Sequence, residues 1–191
     1  TGGFVLAHEI TGVVLAGGKS ARMGQDKALL MLKGRPFIQH VAETLQAMFD
    51  EVIVSGNMTE YDFLGLPVVK DVYENCGPLG GIHAALGSVK TPYVFTAPCD
   101  TPLLTPIIVE TLLAGAVPDL ITIASTADRL QPLVGVYPVG CHSGLDEFLA
   151  CGQRKVMDFL AAKTYHTVRL DAWAERLENI NEVDQYRGLI R

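Results

Sequence analysis

The sequence predicts a three-layer α/β/α domain around a mostly parallel, twisted sheet, with a Rossmann-like N-terminal half. Three observations carry this. Short apolar runs alternate with amphipathic stretches of helical period along most of the chain, the pattern of strands joined by crossover helices. Polar residues suited to ligands follow the apolar runs directly: Gly17-Gly18, Asn57, Asp71 and Asp100. A chain of 191 residues, 49% of them hydrophobic, is long enough and apolar enough for one buried core.

Residues 1–10 are expected to form an N-terminal extension, and Thr1-Gly2-Gly3-Phe4 lacks the charged start of a signal peptide. Residues 11–191 are read as a single domain. Thr11 to Ala16 is a buried strand that runs into Gly17-Gly18. Pro36 to Met48 is a helix, with Phe37, Ile38, Val41, Ala42, Leu45 and Met48 at helical spacing. Asp50 to Ser55 and the shorter Leu66 to Lys70 are strands. Gly77-Pro78-Leu79-Gly80-Gly81 opens a helix over Gly80 to Ser88. Tyr93 to Ala97 is a strand leading into Pro98-Cys99-Asp100-Thr101-Pro102, followed by a helix over Pro106 to Leu113 and a strand over Leu120 to Ala124.

Past Asp128 the pattern is less regular. Pro132 to Tyr137 reads as a strand in a hairpin-like insertion, His142 to Ala150 and Lys155 to Ala162 as helices, Thr167 to Leu170 as an edge strand, and Glu182 to Leu189 as a closing helix. Right-handed crossovers would bring the loops that follow the parallel strands to one edge of the sheet. Open α/β sheets bind their ligands outside that carboxyl edge.

A formal net charge of −6 argues against a general nucleic-acid or membrane-surface binder. It leaves room for one anionic nucleotide, which needs only a few placed cations. No apolar run is long enough for a membrane span. Cys76, Cys99, Cys141 and Cys151 show no CxxC spacing, and are expected to be reduced, mostly buried thiols of a cytoplasmic protein. His8, His40, His83, His142 and His166 lack ligand spacing and read as surface or packing residues, and Asp146-Glu147 as an exposed helix face.

The most informative segment is Leu15-Ala16-Gly17-Gly18-Lys19-Ser20-Ala21-Arg22-Met23-Gly24, with Lys27 behind it. Gly17 and Gly18 let the backbone turn sharply and bring its N–H groups close to an anion. Lys19, Arg22 and Lys27 supply the charge that a triphosphate demands. The spacing is neither GxxxxGK[ST] nor GxGxxG. Asp100, at the end of an apolar run, suits a Mg²⁺ ion held against nucleotide phosphates. The amide of Asn57 offers donor and acceptor to a base or ribose. Taken locally, Asp71 and Asn57 serve equally well as turn or cap residues.

The loop, with Asp26-Lys27, resembles the signature of nucleotidyltransferases that share the nucleotide-diphospho-sugar transferase fold. Gly77-Pro78-Leu79-Gly80-Gly81, Pro98-Cys99-Asp100-Thr101-Pro102, Arg154-Lys155-Val156-Met157 and Asn179-Ile180-Asn181 are similar to motifs of the molybdenum cofactor guanylyltransferases, over nearly the whole chain. The resemblance implies GTP and molybdopterin as substrates and Mg²⁺ as cofactor. It implies that Leu15, Ala16, Gly17, Gly18, Lys27, Asn57, Asp71 and Asp100 bind the nucleotide, that Arg22, Lys27 and Asp100 act in catalysis, and that Asp100 holds the metal. Gly80, Gly81, Arg154, Lys155, Asn179 and Asn181 would face the second substrate. The nucleotide-binding half would then span about 11–125 and the second-substrate half about 126–191. Transient contact with other cofactor-biosynthesis proteins or recipient molybdoenzymes also follows from the resemblance. Three alternatives stay open: a CTP-using relative, a sugar-phosphate nucleotidyltransferase, and a non-catalytic molybdopterin carrier.

Overall fold

The computed structural model describes residues 7–16, 26–56 and 59–180. Gly17, Gly18, Arg22, Asn57, Asn181 and the helix expected over Glu182 to Leu189 lie outside the described residues.

Seven strands form the main sheet in the order β5-β4-β1-β6-β8-β7-β9. They are β1 (Ile10–Leu15), β4 (Glu51–Ser55), β5 (Val68–Val69), β6 (Tyr93–Pro98), β7 (Ile121–Ser125), β8 (Leu130–Pro138) and β9 (Tyr165–Arg169). A two-stranded hairpin, β2 (Met31–Leu32) with β3 (Arg35–Pro36), stands apart from it. β1 is parallel to β4 and β6, β4 to β5, and β7 to β9, while β8 runs antiparallel to both β6 and β7. All strands of the sheet except β8 therefore point one way, as the alternation of runs predicts.

Two helical layers cover the sheet. Successive strand residues face opposite sides, so Val13 and Val94 enter one core and Val14 and Phe95 the other. The first core is shared with α2 (Gly77–Ser88), α4 (His142–Ala150) and α5 (Val156–Ala161). The second is shared with α1 (Phe37–Gln46) and α3 (Pro106–Ala114). In α1 the buried residues are Phe37, Ile38, Val41, Ala42 and Leu45, the stripe read from the sequence. Met48 falls in the turn beyond.

Several expectations are corrected. Pro132 to Tyr137 does not belong to an insertion; it lies in β8, between β6 and β7 in the middle of the sheet. Val134, Val136 and Tyr137 are at most 1% exposed, and the buried Thr96 hydroxyl donates to Leu133 O at 2.9 Å, tying β6 to β8. β8 also needs Gly135, because a Cβ there would stand 2.5 Å from Thr122 O on the neighbouring strand. Leu66 to Lys70 shrinks to the two residues of β5, and α2 starts at Gly77 rather than Gly80. All four thiols are free, but only Cys76 is buried; Cys99 and Cys141 are half-buried and Cys151 is exposed.

Asp146 is also more than an exposed helix-face residue. Its Oδ1 accepts the Tyr73 hydroxyl at 2.9 Å and lies 2.9 Å from Nε2 of His83. His83 is buried on α2 and stacks on His142 at 4.5 Å between ring centroids. Facing a carboxylate, Nε2 carries the proton. Burial is the larger influence on His83 and holds the imidazole below its ordinary range, against the pull of Asp146. The folded state thus keeps this ring neutral. As pH falls through about 6.5 the unfolded chain takes up a proton that the folded chain refuses, so stability declines. Asp146, held low first by the Tyr73 hydrogen bond, loses its contribution only further down, below the usual carboxylate range near pH 4. Urea midpoints should fall between pH 7.5 and 5.5, and His83→Gln should flatten that decline. An unchanged slope in His83→Gln would refute the assignment.

Candidate active site

The strand order turns at β1. The chain moves outward through β4 and β5, then returns to place β6 on the other side of β1. Such a switch point opens a crevice at the carboxyl ends of the strands. Leu15 and Pro98, the last residues of β1 and β6, stand opposite each other in the ladder. Cys99 N donates to Leu15 O at 3.0 Å and Ala16 N to Ser55 O at 2.8 Å, so both strand ends are held in register as they leave the sheet.

A cavity of about 220 Å³ opens at this point. Its walls come from Leu15 and Ala16 after β1, from Pro98, Cys99 and Asp100 after β6, and from Asp26 and Lys27 at the 3-10 turn Lys27–Leu29. Pro78, Leu133 and Asn179 complete it. Five residues picked from the sequence are therefore brought together: Leu15, Ala16, Lys27, Asp100 and Asn179. The last arrives because Ile180 N donates to Asp100 O at 2.9 Å, which lays the late segment across the end of β6.

Two carboxylates line the cleft with Lys27, and they differ. Asp26 is satisfied by the protein: Oδ1 accepts Ala28 N at 3.0 Å and Oδ2 accepts the Tyr61 hydroxyl at 2.5 Å. Asp100 has a buried Oδ1 with no hydrogen-bond partner among the described residues. Burial raises the Asp100 pKa, while the Lys27 ammonium and its own backbone amide draw it back. A buried, unsatisfied carboxylate oxygen is costly unless something pairs with it. A hard oxygen donor of this kind fits Mg²⁺, which commonly takes one or two carboxylates and fills its shell with phosphate and water oxygens. No group of three or more His, Cys, Asp or Glu forms among the described residues. Burial, then the Asp100 charge, push the Cys99 thiol up, and at neutral pH it is a protonated wall rather than a nucleophile.

Of the other predicted residues that the structure describes, Asp71, Gly80, Gly81, Arg154 and Lys155 are not part of these walls. A Cβ on Gly80 would sit 3.6 Å from Asp71 Oδ2, so Asp71 packs beside the first turn of α2. A Cβ on Gly81 would come within 2.9 Å of Ser55 Oγ and 3.4 Å of Leu15 Cδ2. Both glycines are buried; Gly81 allows α2 to press against the ends of β1 and β4, and Gly80 allows it to sit against the Asp71 to Cys76 segment. Arg154 and Lys155 are exposed before α5, and Arg154 donates to Asn75 O at 3.3 Å. Sequence reasoning assigned no role to Asp26, Pro78, Leu133 or Tyr61. Asp26 stood within a quoted motif, next to Lys27. Leu133 had no local signal, because its place depends on β8 entering the sheet.

The MobA-like NTP transferase domain matches residues 12–168, a span that includes both strand ends, Lys27 and Asp100. The chain belongs to the molybdenum cofactor guanylyltransferase family of MobA-like NTP transferases. A molybdenum cofactor guanylyltransferase of Yersinia pestis (strain Pestoides F) is 34% identical over 176 residues, covering 90% of each chain. A protein of Aquifex aeolicus VF5 has a similar structure, with a TM-score of 0.81 and 30% identity over 93% of this chain and 96% of its own. Molybdopterin-guanine dinucleotide biosynthesis protein A from Archaeoglobus fulgidus shares the fold at a TM-score of 0.76 and 22% identity, over 94% and 96% of the two chains. As a member of this family the protein is a nucleotidyltransferase, with the α/β fold of the nucleotide-diphospho-sugar transferase class. No helix among the described residues is long and apolar enough to cross a membrane.

Proposed function

We propose that this nucleotidyltransferase moves GMP from GTP to the terminal phosphate of molybdenum-bearing molybdopterin. The observation that supports this most is the meeting of Lys27 and Asp100 in one cleft at the switch point. A phosphate oxygen of molybdopterin attacks the α-phosphorus of GTP, the bond from that phosphorus to the bridging oxygen of the β-phosphate breaks, and pyrophosphate leaves. The attacking oxygen is already anionic, so no general base is needed. What the site must do is offset repulsion between two polyanions and hold them in line.

Lys27 contributes positive charge beside the transferring and departing phosphates, and Arg22 with the Gly17-Gly18 backbone would extend that field. Asp100 would hold Mg²⁺, whose chemistry when bound is to withdraw charge from the α-phosphate and the leaving group. Leu15 and Ala16 meet the base and ribose with backbone groups, and Asn57 and Asp71 contribute to the same nucleotide. Asn179, Asn181, Arg154 and Lys155, with Gly80-Gly81, belong to the molybdopterin side. The reaction takes place in the cytoplasm, with transient hand-over to other cofactor-biosynthesis proteins or recipient enzymes.

Pyrophosphate release tests the base. With molybdopterin and Mg²⁺ present, GTP should support release and CTP should support little. Release from CTP in place of GTP would make the protein the CTP-using relative, and release from neither would leave a sugar-phosphate nucleotidyltransferase or a non-catalytic carrier.

A further inference from the structure

Tyr61 lies far from the cleft residues in sequence, in the 3-10 segment Thr59–Leu64 between β4 and β5, and it is fully buried. Its hydroxyl stands 2.5 Å from Asp26 Oδ2 and 3.3 Å from Ala16 O. A buried phenol needs a partner for its proton. With one proton to give, the shorter contact takes it, and Ala16 O stays within reach.

We propose that Tyr61 is a positioning residue for Lys27. The Asp26 carboxylate takes the phenol on one oxygen and caps the turn on the other, through Ala28 N. Lys27 is the first residue of that turn, and Ala28, the second, is fully buried. The phenol thus anchors Asp26 at the start of the turn, from a position 3.3 Å from Ala16 O at the end of β1. The Lys27 backbone is thereby set against the buried Tyr61 ring by a hydrogen bond to a carboxylate. Bonds of that class contribute more than neutral ones and hold a tighter geometry. Burial, followed by the Asp26 hydrogen bond, raises the Tyr61 pKa, so the phenol keeps its proton at any pH where the enzyme works. Tyr61 touches no substrate in this scheme and acts through Asp26 and Lys27 alone.

The inference rests on Lys27 binding the triphosphate, and a double-mutant cycle separates the two. GTP affinity is measured by calorimetry with Mg²⁺ and no second substrate, for wild type, Tyr61→Phe, Lys27→Ala and the double variant. Tyr61→Phe should weaken GTP about tenfold, the worth of one hydrogen bond to a charged group. It should add no loss in the Lys27→Ala background. Asp26→Asn, which keeps one acceptor oxygen, should weaken GTP to a similar degree and likewise add no loss in the Lys27→Ala background. It carries the test if Tyr61→Phe does not fold. A loss in Lys27→Ala with none in Tyr61→Phe, or equal losses for Tyr61→Phe in both backgrounds, overturns the positioning role alone. Unchanged affinity in Lys27→Ala overturns the assignment of Lys27 and the inference with it.

Discussion

Lys27→Ala should lower kcat/KM by roughly two or more orders of magnitude, the usual scale for removing one oriented electrostatic group from a transition state. The residue sits on a turn capped by Asp26 and lines the same cleft as Asp100, whose charged form its ammonium favours. Negative charge concentrates on the departing pyrophosphate as the reaction proceeds, so most of the loss should fall on kcat and a smaller part on KM. Lys27 is half-buried, in the wall of the cleft. The variant should therefore unfold at nearly the wild-type temperature. Steady-state kinetics beside a thermal melt check both statements, and near-normal turnover would remove Lys27 from the reaction.

Asp100→Asn should give a loss of comparable size, about a hundredfold or more in rate, with an opposite effect on the fold. The carboxylate is costly to the apo protein: burial raises its pKa and Oδ1 has no hydrogen-bond partner among the described residues. An amide of the same shape removes the charge without changing the packing. Thermal stability without added metal should hold or rise while turnover collapses, the trade expected where a site keeps a poorly solvated charge for its chemistry. Added Mg²⁺ should stabilise the wild type against urea and leave Asp100→Asn unmoved, by the mass-action rule for ligands that bind only the folded state. A variant that is destabilised and still active would show Asp100 to be a structural aspartate.

Much of the fold was legible because the sheet is buried on both faces. Strands such as β1 and β6 read as short, mostly apolar runs, each with one buried threonine, and α1 carries its stripe openly. The failures have definite causes. The β2–β3 hairpin has only two residues in each strand, and its turn places Lys33 as well as Gly34 at positive φ, where the common hairpin signal is Asn-Gly. The local sequence of β8 reads as part of an insertion, since nothing in a single strand reveals which neighbours it will enter between. Lys27 and Asp100 were legible because short motifs surround them, and Asn179 because of the late Asn-Ile-Asn. Tyr61 and His83 were not, because their partners lie 35 and 63 residues away and only the fold brings them together.

The most direct measurement follows the α-phosphate. GTP labelled at that position is incubated with Mg²⁺, molybdopterin and the enzyme, and the products are separated. The label should appear in a guanine dinucleotide of molybdopterin, with unlabelled pyrophosphate released in equal amount, and Lys27→Ala and Asp100→Asn should both suppress it. Label remaining in GTP, or released as free GMP or orthophosphate with no dinucleotide formed, would contradict GMP transfer by this site.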